Sequence, residues 1–232
     1  MDSVLTLYHG SQFIIEQPIF GRGNRLNDYG LGFYCTESLE LAKEWACSTA
    51  QNGYANRYSF STSGLSILNL SDGNYNILNW LSILLMNRKF NTDSSIAAQG
   101  KEYLTNTFLP PYTQYDVIIG YRADDSYFSF ASAFLNSTIS LAQLERAMFL
   151  GKLGEQIVLK SKTAFERLCY EESILAEHSV YYLKRIERDR AARSEFRSER
   201  SSKPIHEAVY MLDILREEWT NNDPRLRRNL SE

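Results

Sequence analysis

The chain has 232 residues, 44% hydrophobic and 23% charged, with 25 Lys plus Arg against 28 Asp plus Glu and a formal net charge of −3. That balance excludes a disordered or fibrous protein, and the length suits one or two domains with a real core. Cys35, Cys47 and Cys169 form no CxxC pair, and the three His residues stand far apart at 9, 178 and 206. No metal site and no disulfide framework are therefore expected, and free thiols point to a reducing compartment, the cytoplasm.

Met1 to Leu7 carries no basic segment and no long apolar run. Neither a secretory signal nor a membrane anchor is expected there. The longest apolar stretch, Ile77 to Met86, is interrupted by Asn79 and Ser82 and is too short to span a bilayer.

In chain order, Val4 to Tyr8 alternates as a strand that Gly10 and Ser11 are expected to stop. A Gly-, Asn- and Arg-rich stretch from Glu16 to Gly32 leads into the aromatic, β-prone Phe33 to Thr36. Thr36 or Ser38 can cap a following helix with Leu39, Ala42, Trp45 and Ala46 on one face. Tyr54 to Phe60 and Leu65 to Leu70 read as strands separated by the turn Ser61 to Gly64, and Asn76 to Lys89 as a buried helix. Beyond a less regular segment around Pro110, Tyr115 to Tyr121 reads as a central strand. Ser140 to Leu150 is an expected helix, Gln156 to Ser161 a short strand, and Thr163 to Leu168 the start of another helix. Past Tyr170 no further strand is expected; Tyr181 to Arg200 and Ile205 to Trp219 read as long helices separated by Pro204. The pattern predicts an α+β domain over 1–172 and a helical, Arg-rich extension over 173–232.

No Walker loop, GxGxxG, GxSxG, HExxH or kinase set occurs. Three separated segments carry a different pattern: Leu7-Tyr8-His9-Gly10-Ser11, Asn27-Asp28-Tyr29-Gly30-Leu31-Gly32-Phe33-Tyr34-Cys35-Thr36, and Gly154-Glu155-Gln156-Ile157-Val158-Leu159-Lys160-Ser161. In order and spacing they resemble the ADP-ribosyltransferase superfamily, in particular toxin-like bacterial and phage domains often encoded beside an antitoxin. The resemblance covers about residues 4–170.

It implies a split β-sandwich holding NAD⁺ in a cleft, with ADP-ribose transferred to an acceptor and nicotinamide released. It further implies that His9 donates a ring N–H to the adenosine-side ribose and that the Gly10 backbone pairs with the nicotinamide amide. Tyr34 would stack on nicotinamide, Gly30 and Gly32 would let their loop approach the ligand, and Arg25 would contact the pyrophosphate. The third catalytic position is Glu155 or Gln156, since adjacent strand residues face opposite sides. Carboxylate charge suits an oxocarbenium-like transition state and favours Glu155. With Gln156 in the cleft, catalysis leans on hydrogen bonding, or Glu155 activates the acceptor. Singly these residues read as ordinary ones: a loop His, a core Tyr and a solvated strand end.

Residues 184–203 hold eight basic and four acidic residues, about +4, which leaves the rest near −7. Mixed charge at helical spacing is ordinarily a solvated face. Six of the eight basic residues are Arg, which also suits phosphate, so an RNA or DNA acceptor is one expectation and a docked antitoxin or chaperone another. The expected activity is that of an NAD-dependent transferase, the toxin of a toxin–antitoxin or phage-defence module. The alternative is an inactive module of the same fold that binds a nucleotide or a protein partner.

Overall fold

Alternation of Leu5, Leu7 and His9 with Tyr8 and Gly10 sets the first strand, β1 (Val4–Ser11), and its partners build outward from it. The structure is a computed structural model that describes residues 4–123, 125–149, 154–201 and 208–226. One sheet has the order β1, β3 (Gly53–Ser61), β7 (Leu168–Ala176), all antiparallel. The second has the order β2 (Phe33–Cys35), β6 (Glu155–Leu159), β5 (Val117–Tyr121), β4 (Ile67–Asn69), with only β4 and β5 parallel. The sheets meet where Tyr8 and Thr36 exchange both backbone hydrogen bonds, 2.8 and 2.9 Å.

Between the sheets lies a core of Leu7, Phe33, Cys35, Tyr58, Phe60, Ile157 and Leu159. Ile118 and Val158 face the other way, into a larger core built with helices α2 (Ile77–Asn87), α3 (Ser95–Thr107), α4 (Asp125–Leu135) and α5 (Leu141–Phe149). The second sheet is thus covered on both faces, which is why β5 and β6 read as near-continuous apolar runs. Helix α2 is buried almost all round, as its apolar composition demands, and Asn76 caps it through the Leu78 N–H.

Several expectations change. β1 does not stop at Gly10 but runs on to Ser11, paired with Tyr54. Its Gly10 is there because α1 (Leu39–Ala46) crosses it: a Cβ would stand 2.2 Å from the Ala42 carbonyl oxygen. α1 itself starts on a Ser38 cap and buries Leu41 and Glu44 beside the expected Ala42 and Ala46, whereas Leu39 and Trp45 are only half-buried. Helices α3 and α4 fall where no element was expected. After the short α6 (Lys162–Glu166), β7 overturns the expectation that strands end at Tyr170, and the expected boundary at 172/173 falls inside it. β7 is an edge strand whose exposed Glu171 and Glu172 both hold Arg57, each at 2.9 Å.

The chain then enters α7 (His178–Ser201), and a short α8 (Met211–Arg216) returns to the main body. Phe196, Met211, Ile214, Trp219 and Leu226 are buried in the same core as α2 to α5, so the C-terminal stretch packs back on the sheet rather than standing apart. The expected helix start at Ile205, together with Pro204 and His206, lies outside the described residues. No described helix is long and apolar enough to cross a membrane.

α7 is tied to α1 by charge. Arg188 holds Glu44 through two bonds, Nε to Oε2 at 3.0 Å and Nη2 to Oε1 at 2.7 Å, and Lys184 reaches Glu40 at 2.9 Å. The Glu44 side chain is only 2% exposed, so its charge depends on that guanidinium. Arg188→Met should therefore lower stability by about 3 kcal/mol in urea unfolding, and adding Glu44→Gln should recover most of the loss.

Candidate functional site

Past the Tyr8–Thr36 pair the two sheet edges separate. Continued pairing would set Gly10 against Tyr34, but the Tyr34 carbonyl accepts the His9 Nδ1–H instead, at 2.7 Å. Because Tyr8 turns its N–H and C=O toward Thr36, Gly10, two residues on, presents its own to the same edge. The imidazole lies on the Phe33 ring, centroids 4.2 Å apart.

Two cavities open at this gap and share His9, Asn27 and Tyr34. The larger, about 560 Å³, runs under the 13–23 loop and is lined by Phe13, Ile14, Pro18, Ile19, Phe33 and Arg22. The smaller, about 190 Å³, is polar, lined by Gly10, Asp28, Trp45, Arg88, Arg122 and Gln156. A mostly apolar lobe beside a polar one with convergent charged groups is the usual form of a small-molecule site.

The loop between the sheets is locked from several sides. The Tyr34 hydroxyl donates to the Gly30 carbonyl at 2.5 Å and accepts from the Tyr29 N–H at 3.1 Å. Burial raises that phenol far above its ordinary pKa, so it stays protonated. Gly30 takes a positive φ of 74°, and a Cβ at Gly32 would stand 2.7 Å from Val158. These glycines are needed for packing against the body of the protein; Gly32 also lines the larger cavity, while Gly30 lines neither. The ammonium of Lys160 donates to the Tyr29 and Leu31 carbonyls at 2.5 and 2.6 Å.

Asp28, 6% exposed, lines the smaller cavity. Its Oδ2 accepts from the Ala123 N–H at 2.9 Å and from Gln156 Nε2 at 3.0 Å, and Arg88 lies 3.6 Å from Oδ1. Burial raises its carboxyl pKa, and these donors with Arg88 and Arg122 oppose the rise. Arg122 stacks over Trp45, 3.9 Å from the ring centroid.

The structure brings His9, Gly10, Tyr34 and Gln156 together around the smaller cavity. Glu155, the favoured third residue, is not among them. Residues 156 and 158 share the face of β6 that carries Tyr34, whereas Glu155 follows the parity of Ile157 and Leu159 and is exposed at the strand's start. Arg25 is exposed and lines neither cavity; Arg22, Arg88 and Arg122 do. Burial lowers the His9 pKa, which keeps the ring neutral at pH 7. A carbonyl can only accept, so Nδ1 holds the proton and Nε2 is an acceptor, not the ring donor the resemblance implied. Asp28, Arg88, Arg122 and Trp45 were not singled out as site residues. Asp28 lies within the quoted motif and Trp45 on the expected apolar face of the helix after it; Arg88 and Arg122 carried no positional signal. Among the described residues no three His, Cys, Asp or Glu side chains group as a metal set.

A family model described as a protein of unknown function, DUF3990, matches residues 5–170. The chain belongs to this family. Searches of curated proteins and of solved structures gave no match. The DUF3990 span contains every residue of both cavities.

The Lys160 staple is testable by pH. Burial pushes its ammonium down to about 8 from an ordinary 10.5. Between those values the unfolded chain holds a proton that the folded one has released, so this group makes stability rise with pH across that window. Urea unfolding of Lys160→Met beside the parent protein should show the parent gaining on the variant over that range.

Proposed function

We propose that this protein transfers ADP-ribose from NAD⁺ to a macromolecular acceptor. The observation that carries the reading is the convergence of His9 and the backbone of Gly10, Tyr34 and Gln156, from three separated stretches of chain, on one two-lobed cleft. These are the residue types and the order in which the chain resembles ADP-ribosyltransferases, and the split pair of sheets is compatible with that fold.

In this reading the nicotinamide end occupies the polar lobe. The Gly10 N–H and C=O pair with its amide, and the Tyr34 ring, held by two hydrogen bonds, stacks against it. The adenosine half extends into the apolar lobe, where Arg22 is the nearby cation. His9, in both lobes, accepts a ribose hydroxyl at Nε2. Heterolysis of the glycosidic bond sends the electron pair out with nicotinamide and leaves an oxocarbenium ion at the ribose carbon. An acceptor O–H or N–H adds there and loses its proton, which balances the transfer. Gln156 accepts the ribose 2′-hydroxyl, so this site uses an amide where carboxylate charge was expected.

The biological setting proposed is a toxin of a toxin–antitoxin or phage-defence module acting in the bacterial cytoplasm. For the acceptor, α7 contributes less free charge than its composition suggests, because Lys184, Arg188 and Arg193 are engaged with Glu40, Glu44 and Asp189.

Incubation with labelled NAD⁺ and bacterial lysate should release nicotinamide and label a macromolecule, which nuclease and protease treatment assigns to nucleic acid or protein. His9→Ala and Gln156→Ala should each slow release about 100-fold, while Glu155→Ala stays near the parent rate. Full activity in the first two would reject this site. No release with any lysate would favour the non-catalytic binding module.

A further inference from the structure

Gln156 is 3% exposed, and its side-chain nitrogen is fully committed: Nε2 donates to Asp28 Oδ2 at 3.0 Å and to the Tyr121 carbonyl at 3.1 Å. Tyr121 offers only an acceptor there. Asp28 Oδ2 also takes the Ala123 N–H, so it too is an acceptor. The amide therefore has one orientation, and Oε1 is the polar atom it leaves to the cavity. Tyr121 cannot be adjusted, since its carbonyl also receives the Tyr29 hydroxyl at 2.8 Å and the Trp80 indole N–H at 3.1 Å. The side chain that selects the orientation is Asp28, reached from the loop between the sheets.

We propose that Asp28 is the positioning residue of this site: it turns the Gln156 amide so that Oε1 faces the ribose 2′-hydroxyl, and its charge polarises that oxygen. The inference rests on the NAD⁺ reading for the identity of the hydroxyl. A carboxylate that accepts from one end of an amide draws electron density toward the other end, because donor and acceptor sites of the group are conjugated. Asp28 and Gln156 thus act together where one carboxylate would otherwise stand. Gln156 touches the substrate; Asp28 acts through it.

Two variants separate orientation from charge. In Asp28→Asn the Ala123 N–H still requires an oxygen, so the Asn oxygen takes that place and Gln156 keeps its acceptor; the charge is lost, and with it the ion pair to Arg88. Nicotinamide release should slow about tenfold with KM within about twofold. Asp28→Ala loses the orientation as well and should slow release about 100-fold. The decisive measurement is the double variant: Asp28→Ala with Gln156→Ala should be no slower than Gln156→Ala alone, because Asp28 has nothing left to position. Additive losses in an active parent protein would overturn the proposal and leave the NAD⁺ reading standing. Thermal unfolding of each variant, followed by circular dichroism, confirms that the compared proteins are folded.

An independent readout needs no turnover. In the ¹⁵N-labelled parent protein the Gln156 side-chain amide protons should exchange slowly, and Asp28→Ala should expose them while the backbone amides of β6 stay protected. If the parent releases no nicotinamide yet this protection is lost on Asp28→Ala, the NAD⁺ reading fails and the positioning role holds. If Asp28→Ala leaves the protection unchanged, the positioning role fails.

Discussion

Two backbone hydrogen bonds between Tyr8 and Thr36 hold the edges of the two sheets together, and everything chemically interesting begins where that pairing stops. One more pair in the same register would close the gap by joining Gly10 to Tyr34. The His9 imidazole prevents it by taking the Tyr34 carbonyl. A strand edge that presents its N–H and C=O is a liability on a flat exposed surface, but in the wall of a concave site it offers a paired donor and acceptor. The ring that breaks the ladder also lines both lobes, so the cleft and its central polar group have a single origin.

The alternation of β-strands then distributes the remaining parts. Phe33 and Cys35 enter the core between the sheets, which turns Tyr34 toward the helices. Across the ladder Tyr34 stands opposite Val158, which places Gln156 on the same side one pair further along. Helix α1, laid across Gly10 because that residue has no side chain, brings Trp45 into the cavity wall beside it. The loop from Asn27 to Gly32 closes the remaining side. It is held by Asn87, Lys160 and the Tyr34 hydroxyl, so Asp28 arrives in the cavity on a rigid segment rather than a mobile one.

Much of this was legible in the residues, and the failures have physical causes. β5 and α2 declare themselves by length and apolar continuity. The segment Asn27 to Thr36 carries glycines where a Cβ would collide with Asn87 or Val158, so the motif marks close packing beside the cleft, and only Gly32 of the two also lines a cavity. The choice between Glu155 and Gln156 was not legible. A strand covered on both faces shows no polar alternation, and without alternation the parity of a residue cannot be assigned. β7 was missed because an edge strand with Glu171 and Glu172 resembles a solvated segment until Arg57 is seen beside it. Helix α4 was detectable: Tyr127, Phe130, Ala131, Phe134 and Leu135 are buried at helical spacing, but with Ser126, Ser129 and Ser132 between them they blur into an unpatterned aromatic stretch.

The Arg-rich α7 shows why composition is a weak guide to partners. A segment near +4 within a chain of −3 invites a polyanion, yet charge becomes available to a ligand only after internal claims are met. Arg188 neutralises a buried carboxylate on α1, Lys184 neutralises Glu40 on the same helix, and Arg193 is bridged to Asp189 one turn away. The helix is also anchored by Ala192 and Phe196, the latter packed on Phe130 with centroids 3.9 Å apart. Its first duty is thus structural: it presses on the outer side of the helix whose Trp45 lines the polar lobe. The same ion pairs that take up charge on α7 hold α1 in place, and with it one wall of the cleft.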